Sequence, residues 1–249
     1  MNNNNNTMTQ NQINKYWKSL YDQYFKDIGL EKLILTGNRK WQNEYQRVVN
    51  FGKNNWQLFN KDINSTELLF GNCELREIPK EIEKFTKLEK LSFNSNQIEE
   101  IPVEVCKLSK LRILFLVLNN INKIPVEIKY LSNLEYLHLG NNQITEIPLE
   151  LTKLTNLNTL YLNGNKLRII PHQLSNLNNL MTLHLGNNLL TQLPKQLYIQ
   201  NLKNIGLENN QLTKIPREYK KMKNLRNIYY HQKIKIPNKL CRALIIESY

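Results

Sequence analysis

Eight prolines constrain this chain more than any other feature. They stand at positions 79, 102, 125, 148, 171, 194, 216 and 237, and each follows an Ile or a Leu. The first five intervals are 23 residues long, and the last two are 22 and 21. A fixed period in this range marks a supersecondary unit stacked on copies of itself, because a unit so short cannot bury its apolar face alone. The period therefore ranks above any local reading of helix or strand.

Within the period the apolar positions are equally regular. Leu88, Leu91, Phe93, Asn96, Ile98, Ile101 and Pro102 define one copy, and the same spacing restarts at Leu111, Leu134, Leu157, Leu180 and Leu202. Two aliphatics two residues apart, such as Leu137 and Leu139, predict a short strand with one face buried. Stacked in parallel, such strands form one sheet with a spacing of about 4.8 Å. Five residues after Leu137 stands Asn142, and its equivalents are Asn96, Asn119, Asn165, Asn188 and Asn210. An amide both donates and accepts, so a buried column of Asn can satisfy turn backbone from rung to rung. Cys73 and Lys233 take this place in the first and last copies, which should be less regular. Pro fixes φ and donates nothing, which suits a return segment outside the sheet. From that segment Ile82, Val105, Ile128, Leu151, Leu174 and Leu197 should point into the core. The short copy between Pro194 and Pro216 should disturb the return side at Tyr198–Asn201.

This pattern resembles the typical class of leucine-rich repeat. The resemblance implies an α/β fold: a curved solenoid with a parallel sheet on its concave face. It covers residues 65–249 in about eight copies, the first and last irregular. The phrase IPxEI after the Asn is similar to the intracellular Ras-group leucine-rich-repeat proteins. That likeness implies a scaffold whose partner is a small GTPase or its regulator.

Residues 1–64 lack the repeat. Residues 1–12 are Asn-rich, without apolar anchors, and should be disordered. In 13–64, Trp17, Leu20, Tyr21, Tyr24, Phe25 and Ile28 share one helical stripe, and Trp41, Tyr45, Val48 and Val49 share another. The expected structure is a helical cap over the open end of the stack, which solenoids require. The phrases YWKSLYDQYF and RKWQNEYQRV also resemble the helical stretch that follows the F-box in F-box and elongin A proteins. That resemblance implies a substrate-recognition subunit of a ubiquitin ligase as the alternative function.

The 249 residues are 41% hydrophobic, enough for one large core. The longest apolar run is Ile113–Leu118, far short of a membrane span, and the Asn-rich start does not read as a secretory signal. Cys73, Cys106 and Cys241 are scattered, and no cysteine-rich cap is visible, so the expected compartment is reducing and cytoplasmic. The formal charge is +13. Residues 65–194 balance 13 cations against 13 anions, whereas 195–249 hold 12 against 3. Such a basic end serves solubility, or attracts nucleic acid or anionic membrane electrostatically, which is the third functional reading.

No phosphate-binding glycine loop, paired-histidine helix or nucleophile elbow occurs, so no enzyme and no cofactor are expected. The expected function is protein binding by the concave strand positions. Ile113, Phe115, Val117 and Leu118 belong to one copy, and nothing in the core asks for apolar groups there. With Tyr136, His138, Tyr161, His184 and Tyr229 they form the expected partner-binding set. Three of the four histidines, His138, His184 and His231, fall on this sheet. His138 and His184 are two rungs apart, about 9.6 Å by strand spacing. Zinc ligands lie about 2.0–2.1 Å from the metal, so these two are read as members of a binding surface and no metal site is expected.

Overall fold

The computed structural model describes residues 64–230, together with 234, 235, 237 and 245–247. The Asn-rich tail 1–12 and the expected helical cap 13–64, apart from its last residue, lie outside the described residues, as do His231, Lys233 and Cys241. The chain divides into two compact units, Met1–Ser65 and Thr66–Tyr249; the second is described here by itself.

Each copy contributes one three-residue strand. They are β1 (Glu67–Leu69), β2 (Lys90–Ser92), β3 (Ile113–Phe115), β4 (Tyr136–His138), β5 (Thr159–Tyr161), β6 (Thr182–His184), β7 (Asn204–Gly206) and β8 (Asn227–Tyr229). A ninth strand, β9 (Ile245–Glu247), follows in parallel with β8, beyond the eight copies that the proline phrase marks. All nine pair in chain order in one parallel sheet. The register is constant, so Tyr136 faces Ile113 and Thr159, and His138 faces Phe115 and Tyr161.

The core is a set of aliphatic columns. Leu91, Leu114, Leu137, Leu160, Leu183, Ile205 and Ile228 form the mid-strand column, and every member is fully buried. Two residues on, Phe93, Leu116, Leu139, Leu162, Leu185 and Leu207 form a second column, also fully buried. Each such side chain contributes about 1.5–3 kcal/mol through burial. At the N-terminal end of the core the Phe70 and Phe93 rings stack 5.3 Å apart.

On the return side the chain forms 3-10 turns, not α-helices: Lys80–Lys84, Val105–Lys107, Val126–Tyr130, Leu149–Lys153, His172–Asn176 and Arg217–Lys221. The pattern starts at proline, whose carbonyl accepts from the amide three residues on, as from Ile128 to Pro125 at 3.1 Å. A period of 23 residues leaves room for one tight turn there, and i→i+3 bonding rises faster per residue than an α-helix. Ile82, Val105, Ile128, Leu151, Leu174 and Leu197 are buried from this side. Tyr219, buried at the same place in the Arg217–Lys221 turn, has a hydroxyl with no hydrogen-bond partner. The short copy after Pro194 forms no 3-10 helix, and Ile199 is buried in the irregular segment instead.

Between each strand and its return, the chain reverses through a left-handed residue. Asn72, Ser95, Leu118, Asn141, Gly164, Asn187 and Asn209 all have φ between 50° and 66°. Asn, and above all Gly, tolerate this region, but Leu does so poorly. Leu118 is thus both strained and half exposed, at 52%.

The next residue is the Asn column. Asn142 donates through Nδ2 to the carbonyls of Leu116 (2.9 Å), Leu139 (3.1 Å) and Gly140 (3.2 Å), and accepts at Oδ1 from the Ile121 amide (3.0 Å). Asn96, Asn119, Asn165, Asn188 and Asn210 repeat this scheme. In the first copy Cys73 has no side-chain amide, and Asn96 Oδ1 accepts from the backbone amides of both Cys73 and Leu75 at 3.0 Å. A second, exposed Asn ladder runs just before the strands. Asn133, Asn156, Asn179, Asn201 and Asn224 each donate to a carbonyl of the preceding copy at 2.8–3.0 Å.

Candidate functional site: the concave face

Alternation along each strand sends the mid-strand residue inward and leaves its two neighbours on the open face of the sheet. Ile113 and Phe115 flank Leu114 in this way, Tyr136 and His138 flank Leu137, and Tyr161, His184 and Tyr229 end their own strands. All seven are partly exposed, as is Val117, whose amide donates to Asn94 Oδ1 at 3.0 Å.

The rings form a continuous ladder. Phe115 meets Tyr136 edge-on at 5.2 Å and His138 edge-on at 6.4 Å. His138 stacks on Tyr161 at 4.6 Å, and Tyr161 stacks on His184 at 4.8 Å. Tyr136 and Tyr161 lie 5.7 Å apart on the flank. The next rung holds Gly206, which has no side chain, and His184 stacks instead on Tyr229 at 5.6 Å across the gap. The constant register places these residues in neighbouring rungs. Tyr229 joins them only because Gly206 leaves the intervening space open.

The flanking column is polar towards the C-terminal end. Asn227 donates to Asn204 Oδ1 at 2.6 Å, and Asn204 donates to Thr182 Oγ1 at 3.1 Å. At the N-terminal end, Lys90 pairs with Glu67 at 3.4 Å. On the rim, Arg112 forks onto Glu135 at 2.9 and 3.0 Å, with Glu89 3.8 Å away. Between them these residues leave the ladder itself uncharged except at Glu208. Its carboxylate lies where a Cβ on Gly186 would stand, and its Oε2 is buried with no hydrogen-bond partner.

Ring stacking removes water from the imidazoles and favours their neutral form. Burial, and then the nearby His184, hold His138 below the ordinary histidine range. Burial lowers His184 too, against the opposing pull of Glu208. Burial, followed by the adjacent Tyr161, pushes the Tyr136 phenol up to about 12. His138 Nδ1 accepts from the Gly140 amide at 3.2 Å, which leaves its proton on Nε2. Burial also pushes the Cys106 thiol up to about 12, so it is not an activated nucleophile. Among the described residues no three His, Cys, Asp or Glu side chains stand close enough together to hold a metal ion. None of the helices formed by these residues is long and apolar enough to cross a membrane.

Reading the sequence by columns found the ring positions and put Glu208 on the concave side, but not the continuity of the rings over Gly206, nor the convergence of Glu208 on His184. The signal for both was present: a glycine in the central column, and the one acidic residue in the column of Gly140, Asn163 and Gly186.

Family profiles described as "Leucine-rich repeat region" and "Leucine rich repeat" match residues 125–246 and 86–144. No curated protein matches the sequence significantly. A leucine-rich-repeat protein of Leptospira interrogans is 36% identical with a TM-score of 0.68; the match covers 73% of this chain and 48% of that one. An internalin C2 of Listeria monocytogenes is 26% identical with a TM-score of 0.66, covering 76% of this chain and 83% of its own. The plant peptide hormone receptor RGFR1, solved in complex with RGF2, is 32% identical with a TM-score of 0.64, covering 76% of this chain and 33% of the receptor. The chain therefore spans under half of the Leptospira protein and a third of the receptor.

Proposed function

We propose that this chain, which belongs to the leucine-rich repeat proteins, is a non-catalytic interaction module that holds a protein partner against the ring ladder of its concave face. Proteins of this family generally act through protein–protein contact, and one similar structure is a receptor in complex with RGF2. The ladder is the observation that carries the reading. Six rings, from Phe115 to Tyr229, are held edge to face or face to face and stay partly exposed. Rings locked by their neighbours lose little entropy on binding, and aromatic anchors dominate protein interfaces. Beside them the strained, half-exposed Leu118 breaks the residue preference of its turn, as functional sites do.

The resemblance to Ras-group scaffolds supports a small GTPase or its regulator as the class of partner to try first. A cytoplasmic setting goes with that candidate. The ligase-subunit alternative rests on 13–64, outside the described residues.

Affinity capture from the cytosol of the source organism, with wild-type and Phe115→Asp protein side by side, tests the proposal. A partner kept by wild type and by Glu127→Ala, and lost by Phe115→Asp, supports it. A partner indifferent to Phe115→Asp but released by Lys220, Lys221 and Lys223 to Glu, with a steep dependence on salt, assigns the function to the basic end instead.

A further inference from the structure

Within the concave face one group lacks a partner. Glu208 Oε2 is buried and meets no hydrogen-bond donor. A carboxylate oxygen left so is costly, and each such case calls for an explanation. Its surroundings are specific. A Cβ on Gly206 would stand 2.6 Å from His184 Nδ1 and 3.1 Å from Glu208 Oε2, so the imidazole and the carboxylate converge over that glycine. A Cβ on Gly186 would collide with the carboxylate. Tyr229 closes the far side by stacking on His184. The result is a carboxylate seated beside the stacked rings, over two rungs that hold no side chain.

Charge points the same way. In the three concave columns of β1–β8, the charged residues among the described ones are Glu67, Lys90 and Glu208, and Glu247 of β9 extends the central column past Tyr229 with a further anion. Lys90 already pairs with Glu67, and the rim guanidinium of Arg112 is taken by Glu135 and Glu89. No ion pair reaches Glu208 among the described residues. The chain as a whole carries +13, so an uncompensated carboxylate on its open face does not serve solubility.

We propose that Glu208, with the His184 and Tyr229 rings, receives one cationic side chain, Arg or Lys, from a segment of the protein partner. This rests on the concave-face reading above and gives its partner a chemistry. A guanidinium or ammonium satisfies the carboxylate through a charge-assisted hydrogen bond. Phe115, Tyr136 and Ile113 at the other end of the ladder take apolar side chains of the same partner. The two ends thus read different residues, which sets the direction in which the partner lies along the sheet.

The experiment is a titration of the full chain with N-acetyl-arginine amide, N-acetyl-lysine amide and N-acetyl-citrulline amide, followed by NMR of the His184 and Tyr229 ring signals. The cationic amides should shift these signals saturably, and the uncharged, near-isosteric citrulline should not. Glu208→Gln, which keeps size and shape, should weaken the response by roughly tenfold or more, the scale of one charge-assisted bond. A stronger response to arginine assigns a forked guanidinium contact, and an equal response assigns any ammonium-type cation. Cationic amides that shift nothing, or that act equally on Glu208→Gln, overturn the proposal. The captured partner separates this from the wider reading. Loss on Phe115→Asp with no change on Glu208→Gln overturns the cation site and leaves concave binding standing. No change with either variant overturns both.

Discussion

Two columns run side by side through this stack and follow opposite rules. The Asn column places the same residue at the same depth in six successive copies, and each amide makes the same bonds. The central concave column changes at nearly every step, from Ser92 to Phe115, His138, Tyr161, His184, Gly206 and Tyr229. One is uniform because the backbone it serves is uniform. The other is free to vary because sheet pairing asks nothing of side chains that face outward. That a ring nevertheless recurs in four successive rungs, and again after Gly206, is then information about a surface and not about the fold.

The comparison breaks most sharply at Asn142. Asn142→Ala leaves the Ile121 amide unpaired inside the stack and takes one of two bonds from each of the Leu116 and Leu139 carbonyls, which keep Asn119 and Asn165, and the expected loss is about 3 kcal/mol. Tyr161→Ala removes two stacking contacts on the open face and should cost only about 1 kcal/mol. Chemical denaturation of both variants checks the ranking. Equal losses would mean that the ring column holds the fold together as firmly as the Asn column does.

Leu118→Asn sharpens it from the other side. Asn accepts the left-handed φ of 58° that Leu tolerates poorly, so the variant should be more stable by about 1 kcal/mol. It should bind the partner more weakly if Leu118 belongs to the contact surface. A gain in melting temperature without any loss of binding would remove Leu118 from that surface.

Acid separates the columns by chemistry. The Asn column does not titrate, whereas His138 and His184 resist protonation in the folded state. Above the ordinary histidine value of about 6.5 both folded and unfolded chains keep neutral imidazoles. Below it the unfolded chain takes up protons that the folded chain refuses. Stability should therefore fall as pH drops from about 6.5 into the depressed range. Thermal melts across this range should flatten in the His138→Gln/His184→Gln double variant, and an unchanged slope would assign the acid sensitivity elsewhere. The smallest effect is expected on the return side, where Glu127→Ala should change neither melting nor partner capture.

Much of this was legible because repetition multiplies weak signals. One Leu-x-Leu is ambiguous, but Leu91–Phe93 through Ile205–Leu207 in phase with Pro is not. The parts that stayed hidden are those where the period carries no mark. Strand β9 has neither proline nor Asn to announce it. The left-handed position hides because Ser95, Leu118 and Gly164 share no residue type there. The exposed ladder of Asn133, Asn156, Asn179, Asn201 and Asn224 was visible as a recurrent Asn-Leu pair, yet its bonds depend on the approach of the next copy. The contact of Tyr229 with His184 depends on side-chain reach across an empty rung, which spacing along the chain does not encode.

The Asn column also has a direction. Asn142 Oδ1 serves the amide of Ile121, Asn165 serves Ile144, and Asn188 serves Leu167, always one copy back and never one forward. Removing a rung from the N-terminal side therefore leaves every remaining amide in this series bonded, while removing one from the C-terminal side uncovers the amide behind it. Stacks of this kind behave as a line of nearest-neighbour couplings. In this side-chain series each coupling is held by the later member, so the series acts as a ratchet. Exchange of the amides in this series should climb in steps from the C-terminal rungs as each lost copy unlocks its predecessor, whereas opening from the other end leaves this series bonded and uncovers the amides that donate backwards, such as Glu135, Tyr136 and Gln143.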